Sequence, residues 1–343
     1  MREGQNTSKE RLLPPNTGLH RAIIPLYIPH ENGYYAQSYS IFETCLRSLH
    51  KTSVTAIKVS VISNGSCSEV NTRLMGLSAD GFIDELIIEN ENIGKINSIL
   101  KALRTTEERL ITVTDADVLF LNGWEDAVFE VFEAFPKAGA ICPVPVFRKH
   151  NNFTHNIWFD SFFSNRLIFE PVSNPLAMER FAKSIGWSRL DTKFKDVMLT
   201  LTAKNGSKAM VGCSHFVATY KREVFEALPK GSSQFALGGD SETRYLDEPV
   251  VRFNGYRLST IENYAYHMGN KLEPFMKEEF DTLVEVGKKE ISGHFEKLSK
   301  SYFSYVVKMK LFKKFMAIKT VKRWFYKQKG LNGQQLKHFL GEA

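Results

Sequence analysis

Short apolar runs and amphipathic segments alternate along the first 145 residues of the chain. Five runs rich in Ile, Val and Leu have the length of buried strands, and they occupy residues 21–29, 56–62, 83–88, 110–114 and 138–143. Four segments between them have helical spacing of apolar residues, and they occupy residues 38–49, 68–77, 94–103 and 124–135. This alternation predicts a mostly parallel sheet flanked by helices.

The rest of the chain departs from this pattern. Residues 146–210 are dense in aromatic side chains and lack a clean period, residues 212–270 return to short strands and turns, and residues 276–329 are mostly helical in composition. We therefore predict a flexible lead-in, two halves and a basic extension. Their bounds are residues 1–20, 21–145, 146–275 (with the insert 146–210) and 276–343.

The charge is unevenly distributed. The 343-residue chain has a net charge of +7, but residues 297–343 alone carry twelve Lys and Arg against a single acid, Glu342. The first 296 residues carry 33 basic and 37 acidic residues, so the globular part is mildly acidic and no nucleic-acid partner is expected. No signal peptide or transmembrane run is evident, and the four separated cysteines are typical of free thiols, so we expect a cytoplasmic protein.

Two carboxylates follow the apolar run 110–114. Asp115 and Asp117 are one residue apart, and side chains at i and i+2 of an extended segment point the same way, so both can face one hard cation. Ligands of open α/β sheets bind at the carboxyl ends of strands. The alternative is a polar loop after a buried strand, because two acids at this spacing are common by chance.

Other candidate residues lie downstream. Gly238 and Gly239 precede Asp240 and Glu242 at a predicted helix start, where carboxylates are favoured. His267 lies on a glycine-containing loop, although a single histidine is more often structural than a ligand. No G-x-G-x-x-G follows the first strand, so a dinucleotide fingerprint is absent.

In this order the segments resemble the nucleotide-sugar glycosyltransferases of the GT-A fold, and most closely the large inverting family 2. The resemblance covers residues from about 20 to 145 and from about 210 to 270. It is carried by the strand ends Ile24-Pro25-Leu26-Tyr27 and Ile62-Ser63-Asn64-Gly65-Ser66, by Gly94-Lys95 at a helix start, by Asp115-Ala116-Asp117, by Asp240-Ser241-Glu242 and by His267. It implies an α/β, Rossmann-like GT-A sheet with an aromatic-rich insert and a basic helical tail.

The resemblance also implies a function. The protein would be a metal-dependent glycosyltransferase that moves a sugar from a nucleoside diphosphate sugar to an acceptor hydroxyl, with inversion, in glycan or polysaccharide synthesis. A UDP-sugar is the expected donor, and a glycan or a lipid-linked molecule is the expected acceptor. Mn²⁺ or Mg²⁺ would be held by Asp115, Asp117 and His267. Donor contacts would come from Pro25, Tyr27, Ser63, Asn64, Gly94, Lys95 and Asp115, and the base would be Asp240 or, as the alternative, Glu242.

The sequence departs from the family's pattern at three positions. Ser63 stands where an aspartate usually contacts the base, which leaves recognition of uridine open. Leu100 stands near the place of a usual asparagine in the helix after Gly94. Ser241 separates two acids that are usually adjacent, so both Asp240 and Glu242 stay candidates, with Asp240 preferred because it follows the glycines directly.

Two regions allow more than one interpretation. Trp158 and Trp187 of the insert either stack on acceptor sugar rings or form the core of a small subdomain. Residues 297–329 mix aromatics with cations, which suits an anionic membrane surface on the inner face of the membrane. The alternatives are a tail packed on the catalytic domain or a helix that binds a partner.

The sequence allows two other classes of function. A sugar nucleotidyltransferase of related fold usually carries a basic, glycine-rich loop after the first strand, and residues 29–35 are not basic. A non-catalytic membrane or nucleic-acid adaptor would act through the basic tail alone.

Overall fold

The structure is a computed structural model that describes residue 4 and residues 8–12, 18–291 and 295–342. Its strands are β1 (His20–Leu26), β2 (Lys58–Asn64), β3 (Glu85–Glu89), β4 (Leu110–Thr114), β5 (Val118–Phe120), β6 (Ala138–Cys142), β7 (Leu167–Pro171), β8 (Val197–Thr202), β9 (Lys208–Val211), β10 (Val217–Lys221), β11 (Tyr256–Ser259) and β12 (Ala265–His267). Its helices are α1 (Ser38–Thr52), α2 (Ser68–Ala79), α3 (Lys95–Leu103), α4 (Trp124–Ala134), α5 (His155–Asp160), α6 (Pro175–Ser184), α7 (Thr192–Asp196), α8 (Glu248–Arg252), α9 (Pro274–Thr282), α10 (Tyr302–Tyr305), α11 (Phe312–Met316), α12 (Lys319–Gln328) and α13 (Gly333–Leu340). A π-helical segment, Val306–Leu311, joins α10 to α11.

Ten strands form one mixed sheet in the order β3-β2-β1-β4-β10-β6-β11-β9-β8-β7, and β12 pairs with β5 in a separate ribbon. The strands β3, β2, β1 and β4 are parallel, as are β6 and β11. Strand β10 runs antiparallel between β4 and β6, and β7 to β9 form an antiparallel end. The carboxyl ends of the four parallel strands therefore meet at one edge of the sheet, where ligands of α/β folds bind.

The first half follows the predicted alternation. Apolar strand interiors such as Ile23 and Val113 are buried in one core with Phe42 and Leu46 from the apolar face of α1. Gly94 precedes α3 with a φ of +92°, and a side chain there would lie 2.9 Å from the carbonyl oxygen of Phe235. Glycine is therefore needed for the close approach of the loop around Phe235 to the start of α3.

Some predicted boundaries are wrong. His20 is not part of a lead-in, because it begins β1 and is buried against Glu125. Most of the predicted lead-in, residues 1–3, 5–7 and 13–17, lies outside the described residues. The extension is not helical over residues 283–291 and 295–300, because this stretch runs along the globule and its backbone bonds to Lys51 and Val54. The division between residues 145 and 146 stays a prediction.

The insert adds to the main sheet. Strands β7, β8 and β9 continue it beyond β11, and α6 and α7 pack beside them around a second core of Phe147, Met178, Leu190, Met198 and Met210. Alternation was hard to detect in this region because both faces of β8 are covered, with five of its six residues buried.

The C-terminal helices pack on this part of the molecule. Phe325 and Tyr326 of α12 are fully buried, and Phe325 stacks on Trp158 with ring centroids 5.3 Å apart. The backbone of Phe169 in β7 donates to the carbonyl of Lys329. One side of the tail is thus part of the core. No helix in the described ranges has the length and apolar character needed to cross a bilayer.

Candidate active site

A cavity of about 370 Å³ opens at the carboxyl ends of β1, β2 and β4. Five of the predicted donor-binding residues and the predicted metal ligand Asp117 contribute to its wall; the five are Pro25, Tyr27, Asn64, Lys95 and Asp115. Residues without an earlier prediction complete it, among them Tyr34, Tyr35, Asn92, Leu237 and Asn270. A wall that combines aromatic rings with charged groups suits a ligand with a planar base and an anionic portion.

Three candidate metal ligands meet beside this cavity. One ligand atom each from Asp115, Asp117 and His267 can be chosen so that all lie within 4.8 Å of one another. The ribbon of β5 and β12 brings them together, because it pairs His267 with Val118, and the Met268 N–H donates to the Asp117 carbonyl at 2.7 Å. The Nε2 atom of His267 lies 3.3 Å from Asp117 Oδ2, and its Nδ1 lies 3.0 Å from the hydroxyl of Ser184, which fixes the ring.

The electrostatics of Asp117 fit a cation. Burial raises the pKa of Asp117 to about 6, the charge of His267 opposes the rise, and that of Asp115 adds to it. Its buried Oδ1 has no hydrogen-bond partner among the described residues, although buried carboxylate oxygens are normally paired. Two carboxylates and an imidazole are a suitable donor set for Mn²⁺, and the carboxylates also suit Mg²⁺. The residues present therefore fit a divalent cation.

Lys95 supplies a positive charge at the same place. Its ammonium forms an ion pair with Asp115 and its side chain is largely buried. Burial alone would lower the pKa of Lys95, but the charges of Asp115 and Glu242 outweigh it and raise that pKa. The lysine thus stays charged beside the cavity and can approach an anionic ligand.

A network of amide side chains forms part of the cavity wall. Asn64 donates to the side chain of Asn92 at 2.9 Å and accepts from the Ile93 N–H, while Asn92 also accepts from the Gly94 N–H. Ser63 is fully buried and donates to Asn71 of α2, so it does not line the cavity. Asn92 was missed because an asparagine in a polar loop has no periodicity or spacing that distinguishes it.

Asp240 and Glu242 lie on the segment that follows Gly239. Ser241 donates to the Gly238 carbonyl at 2.6 Å and to Glu242 at 3.1 Å, at the start of a helical segment that continues into α8. Asp240 is exposed, whereas Glu242 is half-buried and close enough to Lys95 to affect its pKa. Neither residue lines the cavity itself.

The two tryptophans of the insert differ in environment. Trp158 is 1% exposed and donates to the His150 carbonyl, so it belongs to the core. Trp187 is half-buried and lines a second cavity, away from that part of the core.

Comparisons with solved structures give low similarity. Residues 1–349 of S. aureus TarS, alone and with UDP, match at 12% and 13% identity, each with a TM-score of 0.41, and each match covers 76% of this chain and 63% of that one. The mannosyltransferase PcManGT from Pyrobaculum calidifontis, in complex with GDP-Man and Mn²⁺, matches at 16% identity with a TM-score of 0.38, over 94% of this chain and 68% of the other. No curated protein matches the chain.

The family comparison is more extensive. The family described as glycosyl transferase family 2 matches residues 34–228, which is more than half of the 343 residues. The matched range contains the cavity-lining residues from Tyr34 to Asp117 and the whole insert. The match confirms the resemblance and the α/β fold class predicted from the sequence, and the chain belongs to glycosyl transferase family 2.

Proposed function

We propose that the protein is a metal-dependent glycosyltransferase that moves a sugar from a nucleoside diphosphate sugar to an acceptor hydroxyl. The observation that carries this proposal is the meeting of Asp115, Asp117 and His267 at the wall of the 370 Å³ cavity. The Oδ1 atom of Asp117 adds support. It has no hydrogen-bond partner among the described residues, and a buried carboxylate oxygen without a partner is costly unless a ligand binds to it. When bound, the cation would neutralise charge on the departing nucleoside diphosphate.

The cavity walls suggest how the donor is held. Tyr27 and Tyr35 contact each other edge to face at 5.9 Å, next to Tyr34, and present aromatic surface to a nucleobase. The Asn64–Asn92 network offers amide groups to ribose or base edges. Lys95 lies near the acids and would contact a phosphate oxygen. The identity of the donor's nucleobase stays open, and a UDP-sugar is the first candidate.

The transfer itself needs a base for the acceptor hydroxyl. Asp240 and Glu242 are the candidates, because each is a carboxylate on the loop that meets the start of α3, where the Lys95 N–H donates to the Ala236 carbonyl. Either residue would take the proton as the acceptor oxygen attacks the anomeric carbon and the carbon–oxygen bond to the diphosphate breaks. A single displacement of this kind inverts the configuration, and glycan or polysaccharide synthesis is the process we expect.

We further propose that the tail holds the enzyme on an anionic membrane, on its cytoplasmic face, where a lipid-linked acceptor would be met. Phe163, Phe315 and Trp324 are exposed by 90%, 45% and 47%, and all three rings contact Phe162, so they form one surface, here termed the aromatic patch. Exposed lysines such as Lys314 and Lys327 lie on the same helices. Aromatic rings beside cations suit the headgroup region of an anionic bilayer.

The metal assignment is tested with Asp117→Asn. We expect UDP or GDP with Mn²⁺ to raise the melting temperature of the wild-type protein by about 3–5 °C at ligand concentrations near 100 Kd. Asp117→Asn should lose this shift together with Mn²⁺ binding in calorimetry. Asp126→Asn, at a partly exposed acid paired with Lys289, is the matched control and should behave like wild type. Wild-type affinity for the metal–nucleotide pair in Asp117→Asn would refute the assignment.

A further inference from the structure

A second cavity, also of about 370 Å³, lies in the insert half of the molecule. Its wall combines aromatic, cationic and small polar side chains, and its residues are Val146, Phe147, Arg148, Lys149, Asn152, Phe181, Ile185, Trp187 and Ser214. None of them lines the first cavity. The candidate site described so far therefore makes no use of this space.

The second cavity adjoins the candidate metal ligands. Helix α6 separates them, because its Phe181 lines the cavity while its Ser184 lies 3.0 Å from Nδ1 of His267. Phe181 stacks on Phe216 at 4.9 Å and meets the ring of His267 edge to face at 6.0 Å. The carbonyl of Phe216 in turn accepts from the Asp115 N–H. One layer of side chains thus lies between this cavity and the acids.

Two cations face this space, and neither forms an ion pair with a carboxylate in the part of the chain that the structure describes. Lys149 is half-buried and lines the cavity, and no ion pair or hydrogen bond of its ammonium is found among the described residues. Burial lowers the pKa of Lys149, and the charge of Asp247 only partly opposes this effect. Arg148 places its guanidinium 5.2 Å from the ring centre of Trp187. The Lys149 ammonium is partly desolvated without a direct ion pair, and an anionic ligand would offset that cost.

The backbone holds these cations in place. Arg148 has a φ of +65°, which is unusual for a residue with a side chain and costs conformational energy. Gly212 has a φ of +123°, and a side chain there would lie 2.7 Å from Cβ of Lys149, so only glycine allows the two segments to touch. The buried Asp247 forms an ion pair with Arg257 and a hydrogen bond with His215, both through its Oδ1.

We propose that this second cavity binds an anionic group, a phosphate or a carboxylate, of the acceptor. Lys149 and Arg148 would contact the anion, and the faces of Phe147 and Trp187 would contact the apolar side of a sugar or polyol. The position beside α6 would hold the acceptor near the metal ligands and the donor. This inference rests on the proposed glycosyltransferase function, since it assigns the acceptor of that reaction.

The test compares the binding of charged and neutral probes to the full-length protein by calorimetry, in the presence of a metal chelator. Glycerol 3-phosphate and glucuronate are the anionic probes, and glycerol and glucose are their neutral counterparts. We expect at least one of the two anions to bind. Lys149→Gln should weaken that binding by about tenfold or more, whereas Lys149→Arg should retain most of it. The phosphate and carboxylate arms identify which anion the cavity prefers.

Two control variants locate the binding. Lys95→Gln removes the lysine of the first cavity, and Lys204→Gln removes an exposed lysine of the turn between β8 and β9. Neither should weaken binding of the anionic probe. The melting temperature of each variant is measured to check that the variant folds. The inference is overturned if neutral probes bind as well as anionic ones, if Lys149→Gln binds like wild type, or if Lys95→Gln is the variant that loses binding.

A kinetic measurement separates this inference from the proposed function. With phosphorylated and unphosphorylated polyols as acceptors, Lys149→Gln should raise KM for the phosphorylated acceptor about tenfold or more and leave KM for the donor near its wild-type value. An equal KM effect on both acceptors counts against the anion site. Binding of UDP or GDP with Mn²⁺ to the wild-type protein is measured in parallel, and its failure would refute the proposed function, not the cavity.

Discussion

Asp240 and Glu242 are only two residues apart, but their surroundings differ. Glu242 is half-buried, accepts from Ser241 and lies near Lys95, whereas Asp240 is exposed to solvent. A base must reach an acceptor that arrives from solvent, which favours the exposed carboxylate. A carboxylate near Lys95 is better placed to orient that lysine toward the donor.

This difference gives a prediction for the two acids. Asp240→Asn should lower kcat by about two orders of magnitude or more while donor binding changes little, because the amide cannot accept the proton. Glu242→Gln should act mainly on KM for the donor. Steady-state kinetics with the donor varied at saturating acceptor distinguish them. If Glu242→Gln shows the large kcat defect and Asp240→Asn stays active, the base is Glu242.

The residues that could be predicted from the sequence are those with local signals. Asp115 and Asp117 follow an apolar strand directly, and His267 was found through its order along the family's pattern. Lys149 could not be identified as an anion ligand, because its environment depends on Gly212, more than sixty residues further along the chain. Sequence patterns carry little information about such long-range contacts.

At the scale of elements, a correct prediction depended on how clear the local apolar pattern is. Helix α1 and strand β1 were predicted because helical period and β-branched runs are clear there. Strands β7 to β9 were not predicted, because polar residues such as Glu170 and Thr200 interrupt their apolar residues, and both faces of β8 are covered. Composition predicts a helix over residues 283–291, but the backbone N–H groups of Val286 and Lys289 donate instead to the carbonyls of Lys51 and Val54, at the end of α1.

The contact between insert and tail gives a pH prediction. Burial lowers the pKa of His150 to about 3 and that of His155 to about 4, and nearby Lys322 and Lys313 add to these shifts. Both imidazoles are therefore neutral in the folded protein, whereas the unfolded chain takes up protons below about pH 6.5. The free energy of unfolding should be highest above pH 6.5 and should fall as pH decreases toward 4, by up to about 1.4 kcal/mol per pH unit for each histidine.

Chemical denaturation at pH 7, 6 and 5 measures this dependence. His155→Gln should reduce the slope of unfolding free energy against pH, since its amide does not titrate. His30→Gln, at an exposed histidine in the loop that follows β1, is the control and should keep the wild-type slope. An unchanged slope in His155→Gln would show that acid destabilisation arises elsewhere.

At the scale of the whole molecule, the sequence left three interpretations of the basic tail. The structure relates two of them, the packed tail and the membrane surface, to the buried and the exposed side of one segment. Met316, Phe325 and Tyr326 are buried in the core, as expected for a packed tail. The aromatic patch and its lysines remain exposed, as the membrane proposal requires. Removing residues 297–343 would therefore expose Trp158 and destabilise the fold, so truncation cannot by itself test membrane binding.

Point variants of the aromatic patch avoid that difficulty. Phe163→Ser combined with Trp324→Ser should lower co-sedimentation with vesicles that contain phosphatidylglycerol, because both rings are exposed and their loss leaves the core intact. The wild-type protein should bind these vesicles better than neutral phosphatidylcholine ones and should release them as salt rises, since each lysine or arginine near the surface contributes about 1 kcal/mol and screening weakens it. Leu176→Ser removes an apolar side chain that is 57% exposed on α6, outside the patch, and should not change sedimentation. Equal sedimentation of the double variant and wild type, with unchanged melting temperatures, would mean that the patch does not contact the membrane.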